Sequence, residues 1–220
     1  MKLKHIDSFL FTISLLTTSA FLSGCSTTSG YKQADKTGAG IAEYRAEVLN
    51  GKNAIDATMK SLGNVAATAD TNPRAAFAQF SKDVNNLEAT ANKIRKRSEN
   101  MREQGEAYFN QWQQELMTLN NPEIRSLAEK RKAKLQETFD NIRKYSEPLN
   151  QQFDPWLSDL KDLQKYLSLD LTIAGVDEAK NLFRKATNGG LQVQKTMDAL
   201  VDELNTVAAT LTAANVEPKK

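Results

Sequence analysis

The chain has 220 residues, with 29 Lys and Arg against 27 Asp and Glu and a formal net charge of +2. That is too balanced for a protein that grips nucleic acid by bulk charge. Hydrophobic residues at 40% and charged residues at 25% mark a chain that folds rather than one that stays disordered. Its single His and single Cys, His5 and Cys25, both lie near the start. The chain beyond Cys25 therefore has no imidazole or thiol for nucleophilic catalysis or a zinc-type metal site.

Residues 1–24 have the layout of an export signal. Lys2, Lys4 and His5 give a basic start, residues 9–16 (FLFTISLL) an apolar centre, and Ser23 and Gly24 a small-residue close. The apolar stretch is interrupted by Thr12, Ser14, Thr17, Thr18 and Ser19. It falls short of the roughly 20 apolar residues that a permanent membrane span requires.

Leu22-Ser23-Gly24-Cys25 resembles the cleavage box of bacterial lipoproteins, which is Leu, a small residue, Gly or Ala, then Cys. The resemblance implies cleavage before Cys25, a diacylglycerol on its thiol and a fatty acid such as palmitate on the freed amine. One acyl chain binds a membrane marginally, whereas several hold a protein there permanently. In Gram-negative lipoproteins an Asp directly after the Cys retains the protein at the inner membrane. Ser26 at that position implies the inner leaflet of the outer membrane, facing the periplasm. The alternative is an ordinary secretory signal that leaves Cys25 as a free thiol, a liability in an oxidising compartment.

Residues 25–40 (CSTTSGYKQADKTGAG) are small, polar and Gly-containing, and read as a lipidated flexible tether. Fully extended, the stretch after Cys25 would reach about 50 Å. Residues 41–220 then read as one helical bundle domain. In a first segment, 41–69, Ile41, Val48, Ile55, Leu62 and Ala69 recur every seven residues, with Tyr44 and Val65 at the companion position. In a second, 73–119, one register holds Phe77, Val84, Ala91, Gly105, Trp112 and Leu119. The other holds Phe80, Leu87, Ile94, Met101 and Tyr108. Such repeats pack helix against helix.

The third segment, 122–168, carries Ile124, Leu135, Phe139, Ile142, Leu149, Phe153, Trp156, Leu160, Leu163 and Leu167 along one face. Pro148 and Pro155 interrupt it and predict a kink or break, and Asp154-Pro155 has the form of a helix start. Residues 167–173 alternate apolar and polar, and with no second strand to pair they read as an extended connector. The fourth segment, 176–214, sets Val176, Phe183, Met197, Leu204 and Leu211 against Ala179, Ala186, Val193, Leu200 and Val207.

Asp70-Thr71-Asn72-Pro73 and Asn120-Asn121-Pro122 are tight connections that force antiparallel neighbours. The fold expected is all-α: an elongated, antiparallel, up-down-up-down four-helix bundle built around a coiled-coil-like long helical hairpin. At the helical rise the second and third segments are about 70 Å long and the first about 45 Å. The hairpin should then overhang by about 25 Å, leaving part of its apolar stripe for another molecule or a second copy. Two stretches are candidates for that contact: the tip at residues 116–124, and the proline-flanked stretch with Phe153 and Trp156.

Other constellations admit two readings. The basic runs at residues 93–97 and 130–134 either touch anionic headgroups or are solvated faces balanced by Glu99, Glu103, Glu106, Glu129 and Glu137. Tyr108, Trp112 and Trp156 either line a ligand cleft or partner groove or pack in the core, and the heptad registers of Tyr108 and Trp112 favour the core for those two. Carboxylate pairs such as Glu99/Glu103 and Asp198/Asp202 either bind a cation or work as an acid/base pair, or are the ordinary solvated charges usual on helices, which is the reading preferred; no phosphate loop, dinucleotide fingerprint or EF-hand spacing occurs.

In overall pattern (lipid signal, polar tether, heptad helices, terminal amphipathic helix) the chain resembles a family of helical envelope lipoproteins known only as a domain of unknown function. No activity or catalytic residue is carried over with that resemblance. The expectation is a non-enzymatic membrane-anchored spacer, adaptor or assembly factor that works through helical surfaces. Cys25 would carry the lipid, and Phe153 and Trp156 would meet a protein partner or a second copy. No catalytic residue, metal, cofactor, nucleic acid or small-molecule substrate is expected. The alternative is a periplasmic chaperone or lipid-binding module with an apolar groove near the proline kink.

Overall fold

A computed structural model describes residues 30–212. They form four helices: α1 (Gly30–Ala67), α2 (Pro73–Thr118), α3 (Pro122–Leu169) and α4 (Ile173–Thr212), with no strand among the described residues. Each helix packs on its two chain-order neighbours around a ring, α1 on α2 and α4, and α3 on α2 and α4. The diagonal pairs keep their backbones apart, although the Tyr44 hydroxyl of α1 reaches across to the Ser146 hydroxyl of α3 at 3.2 Å. The result is the antiparallel four-helix bundle that the heptads predict. The α1–α2 seam is the tightest and the α2–α3 seam the loosest.

The heptad residues are the core. Ile41, Val48, Ile55, Leu62, Phe80, Val84, Leu87, Leu160, Leu167, Val176, Leu200 and Leu204 are all buried. Burying one such side chain stabilises the fold by about 1.5–3 kcal/mol. Exposed cross-links fix which helices are neighbours: Arg97 to Glu43 at 2.5 Å, Lys161 to Glu88 at 2.7 Å and Lys185 to Asp159 at 3.1 Å, with Lys52 paired to Asp198. Each contributes only about 0–1 kcal/mol at the surface, so they select register more than they stabilise.

Helix starts follow local chemistry. The Asn121 side chain accepts from the Glu123 and Ile124 amides at 2.9 and 3.1 Å, with Pro122 in the first turn of α3. At α4 the Thr172 hydroxyl accepts from the Gly175 amide at 3.1 Å. Asp170 in turn accepts from the Thr172 amide and hydroxyl at 3.0 and 2.7 Å.

Three expectations are corrected. The first is the tether: residues 30–40 belong to α1. Thr37 is fully buried, Ala34 packs against the core, and the Thr37 hydroxyl donates back to the Gln33 carbonyl at 2.8 Å. The heptad therefore starts at Ala34 and Thr37, and a self-satisfied threonine takes the place of an apolar residue.

The second is the proline break. α3 runs through both Pro148 and Pro155. Both prolines are exposed, as are Lys144 and Gln151, the residues four positions earlier whose carbonyls lose their helical partners. Water can take up those carbonyls at the surface, so the helix continues. Asp154 does not start a helix and instead pairs with Arg95.

The third is the connector. Leu167 and Leu169 close α3, Ile173 opens α4, and the partly buried Leu171 continues the apolar stripe of Leu160, Leu163 and Leu167.

Candidate functional site

Cys25 and the lipid-box residues lie outside the described residues. The structure corrects the other two candidates. Phe153 is 8% exposed and Trp156 5% exposed, and both belong to the core. Their rings meet edge to face with centroids 5.8 Å apart, and the Trp156 indole N–H donates to the Ala186 carbonyl at 2.7 Å. Gly190 occupies the heptad slot between Phe183 and Met197, and the indole lies over Gly189 and Gly190. Because α3 is unbroken, these aromatics stay on its core stripe and are not available to a partner.

Nor does a roomy groove open there. The cavity lined by Gly51, Ile55, Leu87, Ile94, Phe153 and Met197 measures about 30 Å³. That is space for about one water, whereas ligand pockets run to about 300 Å³ or more. A wider cleft of about 260 Å³ follows the loose α2–α3 seam, between Met101, Phe109, Phe139 and Ile142. Arg102–Glu106 at 2.6 Å and Arg143–Asp140 at 3.8 Å flank it.

The most exposed apolar side chains lie at the ends of the bundle, with Leu182 and Leu191 exposed singly along α4. Arg131 donates to the Thr210 carbonyl at 3.2 Å, which sets the end of α4 level with residue 131 of α3. From there α3 runs on for about 14 Å to Pro122. On α1, the Gln104 side chain of α2 lies against Gly40. Gly30 is about 15 Å from that level and Thr118 about 21 Å, so the hairpin overhangs α1 by about 6 Å. The expected 25 Å shrinks because α1 is longer than its apolar heptads suggest.

Past the ends of α1 and α4 the first turns of α3 carry exposed apolar side chains beside its core stripe. Ile124 is 54% and Leu127 70% exposed, with Met117 of α2 at 72%. Just inside this tip stand Lys130, Arg131, Lys132 and Lys134. Lys132 donates to Gln113 at 2.6 Å, and the acids close by in sequence are Glu115, Glu123 and Glu129. Behind them Tyr108, Phe109, Trp112 and Phe139 close the bundle as an aromatic plug, with neighbouring centroids 5.3–5.5 Å apart. Burial pushes the Tyr108 phenol up, against the pull of Arg131.

The opposite end also exposes apolar groups, Leu169 at 82% and Ile173 at 57%. There the charges near in sequence are Asp170, Asp177 and Glu178 against Lys165 and Lys180. Lys180 is taken up by Asp177 at 2.5 Å. Sequence reasoning marks the tip at residues 116–124, Met117 included, as a contact region but stops short of Leu127, which sits outside the heptad registers.

Among the described residues no group of His, Cys, Asp and Glu could hold a metal ion, and no helix is long and apolar enough to cross a membrane. No curated protein and no solved structure matches the chain. Its length from residue 27 to 211, nearly all of the described bundle, matches the model of a family described as protein of unknown function (DUF2959), and the chain belongs to that family.

Proposed function

We propose that this protein is an envelope lipoprotein, anchored through Cys25 in the inner leaflet of the outer membrane and facing the periplasm. Its bundle acts there without catalysis, as a spacer, adaptor or assembly factor. The observation that carries the reading is the adjacency of lipid box and bundle. Leu22-Ser23-Gly24-Cys25 ends within five residues of Gly30, where α1 begins. A chain that short reaches about 18 Å at most. The anchor would thus hold a bundle about 70 Å long close against the membrane rather than on a long leash.

The non-enzymatic reading rests on composition, since no His or Cys follows Cys25. The far end, with Leu169 and Ile173, is the surface this geometry offers to a protein partner.

Replacing Cys25 by Ser tests the anchor. Metabolic labelling with a fatty acid should mark the wild type and not the variant, and the variant should leave the outer-membrane fraction. Equal labelling of both overturns the reading. Crosslinking in intact cells from residues 169 and 173 should capture a defined protein. Loss of the cellular phenotype on replacing a carboxylate pair, with folding intact, would instead argue for catalysis.

A further inference from the structure

We infer that the α2–α3 hairpin tip is a second, non-covalent membrane contact, its apolar residues entering the interface of an anionic phospholipid leaflet and its basic residues meeting the phosphates. The placement rests on the reading of Cys25 as the lipid-bearing residue. The contact itself rests on three features of the described residues.

The first is position. With four antiparallel helices, the start of α1 and the turn between α2 and α3 fall at the same end. The tip passes Gly30 by about 6 Å, while Cys25 lies within about 18 Å of Gly30. An anchor at Cys25 and the tip can thus reach one plane together.

The second is the apolar surface. Ile124 and Leu127, 54% and 70% exposed, stand on the first turns of α3 to the side of the stripe that buries Leu135 and Ile142, beyond the ends of α1 and α4. Neither residue has a structural role to account for that exposure. The turn is closed by other groups, Asn121 at the start of α3 and Arg125, whose guanidinium donates to the Leu119 carbonyl.

The third is charge. Lys130, Arg131, Lys132 and Lys134 come within two turns of Leu127, so the apolar edge is backed by a basic band. That order, apolar groups at the leading edge and cations a turn or two behind, matches an anionic bilayer, whose phosphates lie outside its acyl boundary. The opposite end has exposed Leu169 and Ile173 but no such band, and charge separates the two ends.

The test uses the full chain with Cys25→Ser, which cannot be lipidated, and vesicles of phosphatidylethanolamine with phosphatidylglycerol. Flotation at low salt should show binding that weakens as salt rises. Ile124→Asp with Leu127→Asp should lower it at least tenfold, as should Lys130, Lys132 and Lys134 all changed to Gln. Leu169→Asp should leave it unchanged. A fluorophore on Leu127→Cys, the only thiol in that background, should shift to the blue on binding and be quenched by brominated lipid; one on Leu169→Cys should not.

Absence of binding, equal binding to neutral phosphatidylcholine vesicles, or equal probe responses at 127 and 169 overturns the inference. So does a tip variant that keeps its vesicle binding but changes from dimer to monomer in sedimentation, which would make the tip a contact between copies. Helicity of each variant, read by circular dichroism, separates lost contact from lost fold. Since every arm lacks the lipid, its failure is distinct from a failure of fatty-acid labelling at Cys25.

Discussion

Trp156 on α3 donates its indole N–H to the main-chain carbonyl of Ala186 on α4, 2.7 Å away and inside the core. That carbonyl lies within a helix and keeps a second lone pair for the helical amide four residues on. The approach is close because α4 has no side chain at residues 189 and 190. A Cβ at Gly189 would stand 2.6 Å from the indole Cδ1. Two glycines that should weaken a helix are therefore the residues that lock two helices together.

Gly189→Ala should lower stability by about 1–3 kcal/mol, because overpacking the indole outweighs the helix-propensity gain. Gly63→Ala should raise it by about 0.5–1 kcal/mol, since a Cβ there meets nothing within 4 Å. Urea midpoints of the two variants should move in opposite directions.

Phe153→Asp and Trp156→Asp should each unfold the bundle about as badly as Leu204→Asp, with losses of about 3 kcal/mol or more. Leu127→Asp at the open tip should stay within about 0.5 kcal/mol of the parent. A urea series that ranks Phe153 and Trp156 with Leu127 would contradict their burial.

Amides from about residue 34 onward should be protected in hydrogen exchange, as part of a packed helix. Thr37→Asp forces a carboxylate into a site with no exposed surface. It should strip that protection from residues 30–40 or destabilise the whole bundle by about 2 kcal/mol or more. A free tether would show neither the protection nor the effect.

Hydrogen bonds from the Thr172 hydroxyl and amide hold the Asp170 carboxyl below its ordinary value of 3.8. A depressed folded value means that its contribution is present above pH 3.8 and is lost as pH falls below it, through the folded value. Asp170→Ala should therefore be less stable than the parent at neutral pH. The gap should narrow as acid protonates the parent, which thermal midpoints across pH 2–7 would read.

The bundle is legible in the sequence because its core obeys a simple period: Ile41 through Leu62, and Val176 through Leu211 apart from Gly190, are apolar at heptad spacing and buried. The start of α1 is not, since Thr37, Gly51 and Thr58 fill its companion register with small or polar residues. Thr58 is buried like Thr37 and donates to the Ala54 carbonyl at 2.8 Å, so neither hydroxyl needs water. Pro148 and Pro155 mislead because proline disrupts helix interiors in general, whereas these two fall on the solvent face, seven residues apart. The error over Phe153 and Trp156 is a direct consequence. The open tip can be read from unequal helix lengths, but its size depends on where α1 begins, which heptads of large apolar residues do not reveal.

An even number of helices brings the chain back to where it entered, so Gly30 and Thr212 share one end and the turns at residues 68–72 and 170–172 lie at or toward the other. This makes the bundle's mechanical response depend on the direction of pull. Tension between Gly30 and the far turns runs along α1 and loads its seams with α2 and α4 in shear, so their contacts must fail together. Tension between Gly30 and Thr212 peels α1 from α4 one turn at a time. Arg45–Asn205 parts first, then Lys52–Asp198, then Asp56–Gln194. The same rod is strong when stretched lengthwise and opens like a zipper when Gly30 and Thr212, at one end, are drawn apart.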